Sequence, residues 1–282
     1  MKQIKNFAFQ GVNGAYSEQA GKNVFPNATS VPCATFEEMF DCVRDGKAEI
    51  ALVPIENSQA GRVADIHNLL PKTKLIITGE YFFKINHQLL GSKEANLESI
   101  KFAVSHFHAL AQCRAFLQKN KIKPILGTDT AGSAEDLSKK ERKDTAAIAS
   151  SLAAEIYNLK ILKKNIQDAH HNTTRFFIMK DKQEEKRIEK VKYITSFIFK
   201  IRNMPSALYK ALGGFASNKV NMLKLESYMV DGAFTATQFF ADIEGHPDDD
   251  NVKLAFEELG FFSKEVKILG YYPADNFRKE KI

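Results

Sequence analysis

Cysteine is scarce in this chain: there are three, Cys33, Cys42 and Cys113, far apart and each within an apolar stretch. That spacing excludes a disulfide framework and a cysteine-rich zinc site, and it suits buried thiols in a reducing compartment. Long apolar runs are missing too, since none approaches the ~18 residues a membrane-crossing helix needs. The opening MKQIKNFAFQG has no sustained apolar core and no small-residue cleavage site. It therefore reads as a first strand and not as a leader, with the cytoplasm as the expected compartment. The 40 Lys and Arg against 34 Asp and Glu leave a net charge of +6, but the basic residues are scattered. No basic helix interleaved with aromatics occurs, which argues against nucleic acid and leaves a small anionic ligand compatible with the charge. The chain also lacks an obvious carboxylate pair, a Ser-His-Asp order and a metal-ligand set, so no metal is expected.

With 282 residues, 44% of them hydrophobic and 26% charged, the composition is that of a globular protein with two or three compact units. Strand-length apolar segments at 4–9, 29–32 and 50–53 alternate with helical patterns at 17–24, 36–44 and 63–70. A second block begins near His87, with strands at 101–104, 123–126, 145–148 and 161–164 and helices at 108–118, 131–137 and 150–157. Such alternation predicts two α/β lobes with largely parallel sheets. The crevice between two lobes is a favoured ligand site. Crossings between the lobes are expected at 81–90 and 168–177. The almost wholly charged KDKQEEKRIEK at 180–190 predicts a solvated connector. Beyond it, strand 193–201, helix 206–215, strands 220–229 and 233–243, helix 249–259 and strand 265–271 give a ferredoxin-like βαββαβ order, with Asp231-Gly232 as the hairpin turn.

Five loops hold the polar groups that could meet a ligand. In GVNGAYSEQA, glycines allow a tight turn before a helix whose first backbone N-H groups can hold an anion. It lacks the full G-x-G-x-x-G spacing, so a dinucleotide is not expected. VPIENSQAGRV places Glu56, Asn57 and Ser58 at a bend after a strand, readable as a plain Asn/Ser turn or as donors pointing into the crevice. SHFHALAQC repeats the pattern with Ser105, His106 and Gln112, and TDTAGSAEDL adds Thr128, Thr130 and Ser133. In HNTTRFF, Arg175 opens an apolar segment, which is either an exposed edge-strand arginine or a ligand contact. Hydroxyls, amides and one guanidinium are the inventory for holding a small polyanion.

VPIENSQAGRV, NTTRFF, the SH of SHFHAL followed by Gln112 and Cys113, AAIASSLAAEIYNL and ALYKALGGFASNKVNMLKLES occur in this order. Together they resemble prephenate dehydratases fused to an ACT regulatory domain, over nearly the whole chain. The resemblance implies a two-lobed, type 2 periplasmic-binding-protein-like catalytic domain at 1–180, with lobe 1 about 1–85 and 170–180 and lobe 2 about 86–169. A charged linker at 181–190 and an α+β ferredoxin-like ACT domain at 191–282 would follow. It also implies a cofactor-free reaction in phenylalanine biosynthesis, the loss of carbon dioxide and water from prephenate to give phenylpyruvate. Carried over by position, Thr174, Arg175 and Phe176 form the catalytic motif, with Tyr16, Ser17, Asn57, Ser58, His106 and Thr130 around the substrate. The implied effector is L-phenylalanine, contacting Ala207, Leu208, Asn221, Glu226 and Ser227 between paired ACT domains of a homodimer or homotetramer. Ser206 stands where the family motif has glycine, and Tyr228-Met229 where it has Arg-Pro, so the effector's identity is open. Arogenate, or both compounds, could be the substrate, and a non-catalytic two-lobed sensor is the alternative from another class.

Overall fold

The computed structural model describes residues 4–140, 142–183, 187–202, 204–229 and 236–278. Its elements are β1 (Asn6–Gln10), α1 (Tyr16–Val24), β2 (Thr29–Cys33), α2 (Phe36–Arg44), β3 (Ile50–Asn57), β4 (Gly61–Arg62), α3 (Ala64–Leu69) and β5 (Ile76–Lys84). There follow β6 (Gln88–Gly91), β7 (Phe102–Ser105), α4 (Phe107–Gln112), α5 (Arg114–Lys119), β8 (Lys123–Leu126), α6 (Thr130–Lys140), β9 (Thr145–Ala149), α7 (Ser151–Ile156), β10 (Lys160–Lys163) and β11 (Thr173–Lys180). The last are β12 (Tyr193–Ile201), α8 (Ala207–Ser217), β13 (Met222–Met229), β14 (Ala236–Glu244), α9 (Asp250–Phe262) and β15 (Ser263–Pro273). Contacts group the chain into two units, Met1–Val63 with Phe82–Phe176, and Ala64–Tyr81 with Phe177–Ile282. Strands β5 and β11 pass from one unit into the other.

Within the first unit lie two lobes. One sheet has the order β2-β1-β3-β11-β5, with β4 paired to β3. Strands β2 and β3 flank β1 in parallel, and Phe7, Phe9, Ile50, Leu52 and Ile55 are fully buried on these strands. Helix α2 shows why the local sequence folds as it does. Thr35 accepts a hydrogen bond from the Glu38 amide, a cap worth about 1 kcal/mol, and Met39, Phe40 and Val43 form the buried stripe. The second sheet runs β10-β6-β9-β7-β8, with β7 parallel to β8 and β9, over a core that includes Leu89, Ile100, Ala103, Ala146 and Ile148.

Two expectations for this unit change. The crossings are narrower than 81–90 and 168–177, because β5 runs to Lys84, β6 starts at Gln88 and β11 starts at Thr173. The two crossing segments bind each other: the Ile85 N-H donates to the Asn172 carbonyl, and the Ile166 N-H to the His87 carbonyl. The single helix expected at 108–118 is broken at Cys113 into α4 and α5. The cause is Asp168, whose N-H donates to the Gln112 carbonyl (2.7 Å) and whose carboxylate accepts from the Ala115 amide (3.1 Å). These bonds satisfy groups that a continuous helix would pair internally.

The second unit holds the antiparallel sheet β13-β14-β12-β15 with α8 and α9, in the expected βαββαβ order. Phe197, Phe199, Phe215, Phe239, Val252 and Leu259 are among its core. The expected turn at Asp231-Gly232 lies outside the described residues. Residues 64–81 belong to this unit by contact: His67 Nδ1 lies 2.9 Å from the Tyr228 hydroxyl, and Lys267 donates to the carbonyls of Pro71 and Thr73. The described residues of the charged run are exposed or half-buried, and Arg187 pairs with Asp249 at 2.8 Å.

Candidate active site

The site is built on the carboxyl end of β3. The turn after it folds the Asn57 side chain back, so that Asn57 Oδ1 accepts from the backbone N-H groups of Gln59 (2.9 Å) and Ala60 (2.8 Å). Backbone N-H groups can only donate, so this fixes which end of the amide is oxygen. Asn57 Nδ2 then donates to Asn172 Oδ1 at 2.8 Å and to Thr174 Oγ1 at 2.9 Å. From Asn172 the bonds continue through Nδ2 to Gln112 Oε1 at 2.8 Å. The same Gln112 oxygen lies 2.8 Å from His87 Nε2, and His87 Nδ1 lies 2.7 Å from the Tyr16 hydroxyl. Groups from β3, β11, α4, α1 and both crossing segments thus meet in one polar chain.

Alternation along β11 sends Thr174 and Arg175 to opposite faces of the sheet. Thr174, 9% exposed, pairs with Asn57 on one face. Arg175, 3% exposed, meets Glu56 on the other at 3.1 Å and sits 5.9 Å from the Phe82 ring centroid. The edge-strand reading of Arg175 is therefore wrong, because β11 lies between β3 and β5 and the guanidinium is buried beside a carboxylate. Phe176 is 1% exposed and a core residue.

A cavity of about 230 Å³ adjoins this chain, lined by Gln59, His108, Ala111, Gln112, Gln167, Asp168, Ala169 and Asn172. A larger one of about 290 Å³, beside Ser92, Lys143 and Tyr157, touches none of the linked side chains. Burial lowers the pKa of His87, an effect opposed by its hydrogen bond to Gln112, and holds that of the Tyr16 phenol well above its ordinary value. Both groups are neutral near pH 7. Among the described residues no group of three or more His, Cys, Asp or Glu side chains converges as a metal site would. No helix among them is long and apolar enough to cross a membrane.

The prephenate dehydratase family model matches residues 7–184. The chain belongs to that family. It is similar to a bifunctional N-acyl-homoserine lactone acylase/prephenate dehydratase of Komagataeibacter europaeus, 45% identical over 97% of each chain. An arogenate dehydratase/prephenate dehydratase 1, chloroplastic, of Arabidopsis thaliana is 38% identical over 96% of this chain and 72% of its own. The crystal structure of a prephenate dehydratase from Arthrobacter aurescens in complex with L-Phe superposes with a TM-score of 0.87 at 29% identity, over 95% of this chain and 90% of that one. The protein is thus a dehydratase enzyme.

Thr174, Asn57 and Tyr16 come together through the polar chain. The Ser58 hydroxyl donates to the His171 carbonyl and accepts from the Thr173 N-H, clamping the start of β11. His106 caps α4, accepting from the His108 amide at 3.3 Å, and burial and the neighbouring His108 lower its pKa. His108, not His106, lines the 230 Å³ cavity. Ser17 and Thr130 sit half-buried in the first turns of α1 and α6, and neither belongs to the chain of bonds. Sequence reading missed His87 and Asn172, whose partners are distant in sequence, and only noted Gln112.

In the second unit, Ala207 is buried at the start of α8, and Leu208 packs on the core. Glu226 pairs with Lys224 at 3.1 Å on β13, and Ser227 and Asn221 are exposed. Ser206, where the family motif has glycine, adopts φ 60° and ψ 19°, a left-handed conformation that favours glycine. Tyr228, the first departure from Arg-Pro, has its hydroxyl at His67.

Proposed function

We propose that this enzyme converts prephenate to phenylpyruvate in phenylalanine biosynthesis. The bond between ring and carboxylate breaks, its electrons enter the ring, and the ring hydroxyl leaves; with one added proton it departs as water. Aromatisation supplies the driving force, so the protein needs to hold the dianion and help the hydroxyl leave. The observation that carries this reading is the Thr174 hydroxyl. Its oxygen already accepts from Asn57, so its own hydrogen is directed elsewhere, as a donor to the leaving hydroxyl directly or through a water. Arg175 is read as acting behind the strand with Glu56.

Residues 1–180 would form the catalytic domain, 181–190 the linker and 191–282 an ACT domain. L-phenylalanine would bind near Ala207, Leu208, Asn221, Glu226 and Ser227 of a cytoplasmic homodimer or homotetramer and inhibit. The βαββαβ order and the relative crystallised with L-Phe support this part. Arogenate remains a second substrate reading, favoured by the doubly named plant relative. The acylase named for the 45% identical relative earns one assay arm with an N-acyl-homoserine lactone. Purified enzyme is given prephenate and, separately, arogenate, with phenylpyruvate or phenylalanine followed; turnover of neither overturns the reading. Titration calorimetry without heat from phenylalanine, together with unchanged activity at millimolar concentration, overturns the effector assignment.

A further inference from the structure

The direction of every hydrogen bond between the β3 turn and Tyr16 can be worked out from two backbone groups. The amides of Gln59 and Ala60 force Asn57 to present Nδ2 to Asn172 and Thr174. Asn172 must then meet Asn57 with its oxygen and Gln112 with its nitrogen, so the Gln112 atom facing both Asn172 and His87 is Oε1. An oxygen acceptor requires a hydrogen on His87 Nε2. With that hydrogen in place, the neutral ring offers a lone pair at Nδ1, and the Tyr16 hydroxyl donates to it at 2.7 Å in preference to the Asn86 carbonyl at 3.4 Å.

We propose that His87 is a positioning residue that aligns the site's donors through Gln112 and Asn172, and that it does so protonated on Nε2 alone. Two consequences reach the ligand. Gln112 Oε1 is taken twice over, so the side chain offers its Nε2 hydrogens to whatever occupies the cavity it lines. At the other end, Asn57 occupies the Thr174 oxygen and leaves the hydroxyl hydrogen to donate. The chain's polarity therefore makes the site donor-rich, as an anion and a departing hydroxyl both require. His87 itself needs no contact with substrate. Its burial at 3% exposure, and the low dielectric around it, keep the ring neutral and the tautomer fixed.

The effect on rate rests on the dehydratase reading above, but the tautomer does not. Long-range 1H–15N spectra of protein labelled with 15N-histidine, assigned by loss of the signal in His87→Gln, should show His87 with a bare Nδ1 and a protonated Nε2 at neutral pH. A protonated Nδ1, in either the other tautomer or the imidazolium, overturns the proposal even if neither substrate is turned over. Kinetics supply the second arm. The Gln amide nitrogen can take the place of Nε2, whereas the shorter Asn side chain reaches only the position of Nδ1. His87→Asn should lose kcat by about 10²-fold with KM changed much less, and His87→Gln should fall far less. Equal loss in both variants, with thermal unfolding unchanged in both, assigns His87 a packing role and refutes positioning.

Discussion

Replacing Thr174 by valine keeps shape and β-branching and removes one oxygen. The structure sets two separate costs. Asn57 Nδ2 loses one of its two acceptors, and since Asn57 is half-buried the lost partner costs about 1 kcal/mol, the low end for an unsatisfied donor. In the reaction, the leaving hydroxyl loses its donor. General acid help is typically worth ~10² to 10⁴ in rate, which is about 3–5 kcal/mol of barrier. Initial rates of phenylpyruvate formation should therefore show kcat down by that range, with KM within a few-fold, and urea unfolding should show the smaller stability loss. Thr174→Ser, which keeps the oxygen, should retain most of kcat. Thr173→Ala is the control, since the Thr173 bonds to Ser58 run through its backbone and survive truncation. Wild-type kcat in Thr174→Val, with the variant folded, would refute the role of the hydroxyl.

Arg175→Met removes the buried guanidinium that pairs with the partly exposed Glu56 carboxylate and should cost roughly 2 kcal/mol in urea unfolding after allowance for solvent screening; unchanged stability would show that the pair contributes little. Ser206→Gly relieves a left-handed residue, an expected gain of up to about 1 kcal/mol after the extra entropy of glycine is subtracted, and a lowered urea midpoint would contradict it. Burial depresses the His87 pKa in the folded state, so the unfolded chain binds the proton first as pH falls. The His87 contribution to stability is complete above the unfolded value of about 6.5 and is lost as pH falls from there through the lower folded value. Between those limits His87→Gln should show a shallower loss of stability on acidification than wild type, and identical slopes would count against a neutral, buried ring.

Elements whose causes are local were legible in the sequence. Helix α2 begins and ends at the expected residues because its cap, its acidic first turn and its apolar stripe all lie within 35–44. Strand β12 is likewise where the apolar run at 193–201 places it. The break at Cys113 was not legible, because Asp168, which bonds both sides of it, lies 53 residues from Ala115. The same holds at the site. Asn57 and Thr174 stood out by motif, but the amide that joins them to Gln112 is Asn172, which is 115 residues from Asn57. His87 had no motif and sat at a block boundary, so only its two ring contacts reveal it. Strand β5 was missed because Thr78, Gly79 and Glu80 interrupt its apolar pattern; the buried Glu80 carboxylate accepts from the Arg278 guanidinium and the Asp275 N-H, both distant in sequence.

The turn after β3 is three residues of ordinary backbone, yet its two N-H groups act as the boundary condition for a one-dimensional array. Each amide in such an array has two orientations, and here one end is pinned. No member can reverse alone without setting two donors or two acceptors against each other. The array therefore stores a single sign, passed from Asn57 to Tyr16 across side chains that lie outside the turn. A substitution at either end changes the meaning of all the links between, and its energetic effects should be counted for the array and not for each bond.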